Sequence, residues 1–174
     1  MNFNKHTLGI KFVAVALALI SLTACQGSLL SYRGRAAKPE NRIDLKNGGP
    51  YRGFYQTRDI AIDYEYVNQA DAFQFSGAVK FDNALVYNFR TVENFSLQLN
   101  YLDSDGKVID TTWLARSGYQ QQIEDLPFSR TLSLPLGTAG LAFSYSGTTR
   151  EGGGGGGGEN FPNGGDSWDF WMTP

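Results

Sequence analysis

The chain has 174 residues, a length that suits one domain, and its 41% hydrophobic and 18% charged content is that of a globular protein rather than a disordered one. Fifteen basic residues against seventeen acidic give a formal net charge of −2, so nothing in the charge argues for a nucleic-acid partner. With one histidine and one cysteine in the whole chain, the commonest catalytic and zinc-binding sets have almost no material to draw on.

The first 24 residues read as a secretory signal peptide. Lys5 and Lys11 make a positive start with no acidic residue, Phe12 to Ile20 ("FVAVALALI") is an unbroken apolar run, and the small residues Thr23 and Ala24 follow. The run is too short to span a bilayer, which needs about 20 apolar residues. Next comes the only cysteine, in "LTAC", Leu22 to Cys25. This motif, with the apolar run before it, resembles the lipobox of bacterial lipoproteins; the resemblance covers residues 1–26. It implies that the Cys25 thiol receives a diacylglyceryl group and that the chain is cut before Cys25. It also implies that the new amino terminus takes a further acyl chain such as palmitate. Each buried methylene contributes about 0.8 kcal/mol, so two or three chains hold a protein on a membrane essentially permanently. Gln26, in place of an aspartate, implies the outer membrane where a cell has two. Lipidation would also account for an unpaired cysteine in an exported chain.

Cleavage leaves 150 residues with thirteen basic and seventeen acidic side chains, a net charge of −4, and removes His6. Residues 25–57 read as the lipidated cysteine and a flexible basic tether, since Gly, Pro, Asn and charge alternate there without a lasting period. Residues 26–58 carry +5, whereas 59–174 carry −9. The segment reads as a solvated spacer; the alternative is a strip resting on anionic headgroups.

From residue 58 the apolar residues recur every second position, the signature of strands with one buried face. Ile60, Ile62, Tyr64 and Tyr66 alternate with Ala61, Asp63 and Glu65, and Phe73, Phe75, Val79 and Phe81 with Gln74, Ser76 and Lys80. Gly77 marks a bulge or a close approach. "ALVYNFR" reads as a short strand. Phe95, Leu97, Leu99 and Tyr101 form a further inward row, "DSDGK" a hairpin connection with Gly106 at positive φ, and "VIDTTWLA" the returning strand. "RSGYQQQIEDLP" reads as a loop, followed by strands "FSRTLSLPL" and "LAFSYSGTT". Gly152 to Gly158 are seven consecutive glycines, expected to form a loop or linker. The aromatic segment "DSWDFWMTP" is expected to return to the core as a final strand, its tryptophans filling the core, with an exposed partner-binding tail as the alternative.

Together these point to an all-β protein: a single antiparallel β-sandwich of seven or eight strands over residues 58–174, with a small β-barrel as the alternative. Residues 58–150 resemble, in architecture alone, the small immunoglobulin-like domains of bacterial lipoproteins; the resemblance brings no site residues.

For chemistry, a mature chain without histidine or free thiolate cannot build a Ser-His-Asp triad, a Cys-His pair or the usual zinc sites. The carboxylate pairs Asp63 with Glu65, about 7 Å apart along one strand face, and Glu124 with Asp125 are the remaining candidates for hydrolysis. "DSDG", Asp103 to Gly106, starts like a calcium loop, but its twelfth position is Leu114 and not glutamate, so a turn is expected. The glycine run lacks the Lys-Ser/Thr of a phosphate loop. Tyr119, Trp168 and Trp171 are the candidate ligand or partner contacts. The expectation is therefore an envelope lipoprotein, held on the membrane by the lipid on Cys25 and facing the periplasm or the cell surface. It carries a non-catalytic domain that binds an envelope protein, with glycan binding as the alternative, and needs no cofactor or metal.

Overall fold

The computed structural model describes residues 31–69, 72–89, 91–119, 124–150 and 167–174. The signal peptide, Cys25 and the glycine run at 152–158 lie outside them. Nine strands follow in order: β1 (Ile43–Asp44), β2 (Gly48–Gln56), β3 (Ile60–Gln69), β4 (Ala72–Phe81), β5 (Thr91–Leu102), β6 (Val108–Arg116), β7 (Leu126–Leu132), β8 (Gly140–Arg150) and β9 (Ser167–Met172). A short helix, α1 (Asn83–Asn88), links β4 to β5.

The strands form two antiparallel sheets. Sheet 1 runs β1-β8-β5-β6, with β9 also paired to β8; sheet 2 runs β2-β3-β4-β7. β1 meets Leu141 and Gly140, and β9 meets Tyr145 to Arg150, so the two lie end to end along the edge of β8 not taken by β5. The sheets face each other as a sandwich and do not close into a barrel. Where β6 nears β7 no ladder forms, and Arg130 Nε donates to the Leu114 carbonyl at 3.1 Å. The two-sheet architecture is the one expected, and seven of the nine strands fall within 58–174. The order of strands has its own character: β2, β3 and β4 follow one another in a single sheet.

The alternation read in the sequence supplies the core. Ile60, Ile62 and Tyr66 from β3, Phe73, Phe75 and Val79 from β4, Phe95, Leu97, Leu99 and Tyr101 from β5, and Phe143 and Tyr145 from β8 are all buried. Each large apolar side chain removed from water contributes about 1.5–3 kcal/mol. Rings join the sheets: Tyr64 stacks on Phe75 with centroids 5.6 Å apart, and both meet the Phe143 ring edge-on. Phe170 is fully buried against Phe95 and Tyr145, so the C-terminal segment does return as a strand.

Two expectations are corrected. Of the stretch expected to be tether, residues 32–57 belong to the fold. Residues 34–37 exchange backbone hydrogen bonds with 106–108, residues 43–44 are β1, and 48–56 are β2. β2 does alternate, with Tyr51, Gly53 and Tyr55 inward and Arg52, Phe54 and Gln56 outward. The alternation is hidden because its middle inward position is a glycine. Gly53 and Gly77 flank Tyr64 in register, and the Tyr64 ring fills the space a Gly53 side chain would take. Second, "ALVYNFR" is not a strand but carries α1. Asp82 caps it, its Oδ1 accepting from Ala84 N at 2.8 Å, and only Leu85 is buried, too few apolar positions to show a helical period.

The "DSDGK" connection is a hairpin turn as expected. Asp103 Oδ1 accepts from the Asp105 and Lys107 amides, and Gly106 has φ 79°.

Candidate functional site

The residues singled out by sequence end up apart. Trp168 and Trp171 are three positions apart on β9, so they project from opposite faces of sheet 1. Trp168 shares its face with buried Phe170 but sits at the end of the strand, 49% exposed, with the Arg58 guanidinium 5.9 Å from its ring centre. Trp171 points outward, 66% exposed. Core filling by the tryptophans is thus corrected: Phe170 takes that role. Tyr119 is exposed beyond the end of β6, and no described contact joins it to either tryptophan.

Trp171 has different company. Register places Ser146 beside it, Ser96 beside Ser146, and Arg116 beside Ser96, in one row across β9, β8, β5 and β6. The next row holds Ser144, Gln98 and Trp113. Three strand spacings separate Arg116 from Trp171, about 14 Å. A bulge makes this arrangement. Between Leu97 and Gln98, β6 carries an extra residue, so Leu114 and Ala115 are both buried and Arg116 emerges on the same face as Trp113. The Arg116 guanidinium then lies 3.6 Å from the centre of the Trp113 ring and makes no ion pair with a described residue. Trp113 and Arg116 carry no signal in a period-two reading, because the bulge reverses the parity between them.

A polar network continues along this face. Thr111 Oγ1 donates to Asn100 Oδ1 at 2.9 Å, Asn100 Nδ2 to Ser144 Oγ at 2.9 Å, and Ser144 Oγ to Gln98 Oε1 at 3.1 Å. Asn100 and Ser144 are fully buried. Ser96 and Ser146 hydroxyls lie 3.0 Å apart. Satisfied networks of this kind hold their side chains in one arrangement. The result is a strip of hydroxyl and amide groups bounded by an arginine-stacked tryptophan on one side and an exposed tryptophan on the other.

The carboxylate candidates of β3 are each held in an ion pair. Asp63 is bound by Lys80 at 2.8 Å, which raises the Lys80 pKa through that hydrogen bond, and Glu65 by Arg52 at 2.5 Å. Both lie on the open outer face of sheet 2. Glu124 and Asp125 are exposed beside the start of β7. Asp59 is buried, but it serves the β2–β3 turn: the Tyr145 hydroxyl donates to its Oδ2 at 3.0 Å and Arg58 Nε to its Oδ1 at 3.1 Å. Burial, reinforced by this carboxylate, pushes the Tyr145 hydroxyl's pKa upward. Among the described residues no cluster of three or more His, Cys, Asp or Glu stands ready for a metal ion, and no helix is long and apolar enough to cross a membrane.

A cavity of about 830 Å³ opens at the end of the sandwich that carries the β3–β4 and β5–β6 hairpins. Leu45, Phe73, Leu132 and Leu134 supply its apolar wall, with Asn68 and Thr138 among its polar groups. Its described lining carries no ionisable side chain. Comparison with protein-family models, with characterised proteins and with solved structures finds no match to this chain.

Proposed function

We propose that this is an envelope lipoprotein, anchored through lipid on Cys25, whose sandwich binds another envelope component and catalyses no reaction. The observation that carries the binding role is the outer face of sheet 1, where Trp113, Arg116 and Trp171 frame a row of serines. Tryptophan and arginine dominate the binding energy of interfaces, and here both are exposed on a rigid sheet. The missing histidine and thiolate, and the ion-paired state of Asp63 and Glu65, support a non-catalytic role. A photoreactive residue placed at Ser146 should cross-link one envelope protein in living cells, and Trp171→Ala should abolish the product. A protein that stays on the membrane yet cross-links nothing would reject the protein-partner reading. Replacing Cys25 with Ala should release the domain from the membrane fraction, and retention would reject the anchor.

A second reading is favoured by the polar floor: a glycan whose rings stack on Trp113 or Trp171 while its hydroxyls meet Ser96, Ser146 and Gln98. Envelope polysaccharides should then change tryptophan fluorescence in the wild type and much less in Trp171→Ala. A flat titration of the wild type would reject it.

A further inference from the structure

We propose that the hairpin end of the sandwich is a membrane-facing surface that rests on anionic lipid headgroups. The inference rests on the Cys25 anchor for its setting. Three observations converge on this end. The first is chain length. Because residues 34–37 dock on the β5–β6 hairpin, only residues 26–31 separate Cys25 from Tyr32. Seven residue steps reach at most about 25 Å, so a lipid on Cys25 would lie within that distance of Tyr32 instead of at the end of a long spacer.

The second is charge. Arg35, Lys38 and Arg42 are exposed, and none pairs with a carboxylate of a described residue. Ala36 bridges to Lys107, and the Arg42 guanidinium lies against Gly106, so these cations gather around one hairpin. Lys46 is exposed at the neighbouring link between β1 and β2. The acidic residues of the same region are Glu40, Asp44, Asp103 and Asp105. The Asp103 carboxylate is occupied by two backbone amides, and Asp105 stands 3.9 Å from Lys107. The five named cations (Arg35, Lys38, Arg42, Lys46 and Lys107) outnumber these four carboxylates by one, whereas the other residues from 48 onward carry seven basic side chains against thirteen acidic, so this end is weakly positive on an otherwise negative domain. Attraction to headgroups acts within a Debye length of about 8 Å, a range the short connection makes accessible.

The third is apolar. Leu136, in the turn between β7 and β8, is fully exposed. That turn belongs to the same end, since Ala139 N donates to the Leu102 carbonyl and Leu45 N to the Ala139 carbonyl. An isolated leucine at a loop tip on the same end as these cations is suited to the boundary between headgroups and acyl chains.

The test uses the mature chain, residues 25–174, coupled through its single thiol to a maleimide lipid in vesicles. Hydrogen exchange is compared on phosphatidylglycerol-containing and on pure phosphatidylcholine vesicles. Amides of 34–38, 103–107 and 136–138 should exchange several-fold more slowly on the anionic vesicles alone, with α1 unchanged. The double variant Arg35→Glu with Lys38→Glu should lose that protection and, unlipidated, bind anionic vesicles at least about tenfold more weakly. Leu136→Ser, at a site with no packing to lose, should weaken binding while leaving the melting temperature unchanged. Exchange that ignores headgroup charge, or protection that survives the double reversal, would overturn the proposal. Equal protection by a soluble polyanion such as dextran sulfate would overturn it too. Because the coupling supplies the anchor chemically, these outcomes stand apart from acylation of Cys25, which palmitate labelling in the native cell tests.

Discussion

Replacing Gly77 with alanine tests the packing of sheet 2. A methyl group at Gly77 would overlap the Asp63 carbonyl oxygen and stand 2.8 Å from Phe128 Cζ. Neither neighbour can withdraw cheaply. Asp63 lies in β3, paired on both sides by β2 and β4, and Phe128 is buried beside Gly77 in the β4–β7 register. Overpacking of this kind costs about 1–3 kcal/mol, and a backbone obstacle places it in the upper half of that range. For a unit of this size each kcal/mol lowers Tm by about 3–4 °C, so Gly77→Ala should melt about 6–12 °C below the wild type. Gly118 provides the control, with open space around it and no positive φ. There alanine removes freedom from the unfolded chain and should stabilise by about 0.4–1 kcal/mol. The assay is thermal unfolding of the unlipidated mature domain by circular dichroism. If Gly77→Ala melts with the wild type, β4 does not approach β3 as described and the packing argument fails.

Burial pushes the Tyr55 and Tyr101 hydroxyls up to about 12 and raises Tyr64, Tyr66 and Tyr145. The unfolded chain therefore loses these protons first as pH rises above 10, and stability should be complete below pH 10 and fall from there through pH 12; denaturant midpoints that stay level across that interval would contradict it. Asp82→Ala removes the cap of α1 and should cost about 1 kcal/mol by chemical denaturation, with Asp82→Asn close to the wild type. Asn100→Ala removes the acceptor of the Thr111 hydroxyl and a donor to both the buried Ser144 hydroxyl and the Ala142 carbonyl on the outer face of sheet 1, and should cost about 1–3 kcal/mol. A variant as stable as the wild type would mean that the network does not hold that face together.

How much of the protein was legible depends on whether a feature is local. Strands β3, β4 and β5 were readable because each buries one face, and period two writes that directly into Ile60 to Tyr66, Phe73 to Phe81 and Phe95 to Tyr101. The Asp103 turn was readable because its side chain bonds its own backbone. β2 was not, because the residue that fills its inward middle position is Tyr64, supplied by a different strand. α1 was not, because one and a half turns with a single buried leucine show no period. The candidate face was half legible. Trp171 stood out by composition, but Trp113 and Arg116 join it only through a bulge, and a bulge depends on the strand opposite. The separation of Trp168 from Trp171, the burial of Phe170 between them, and the gathering of Arg35, Lys38, Arg42 and Lys107 around one hairpin are likewise products of pairing between distant segments. The sequence by itself determined the all-β class and the scarcity of catalytic groups. Tertiary structure decided which exposed side chains share a surface, because strand register, unlike strand period, is a property of two segments and not of one.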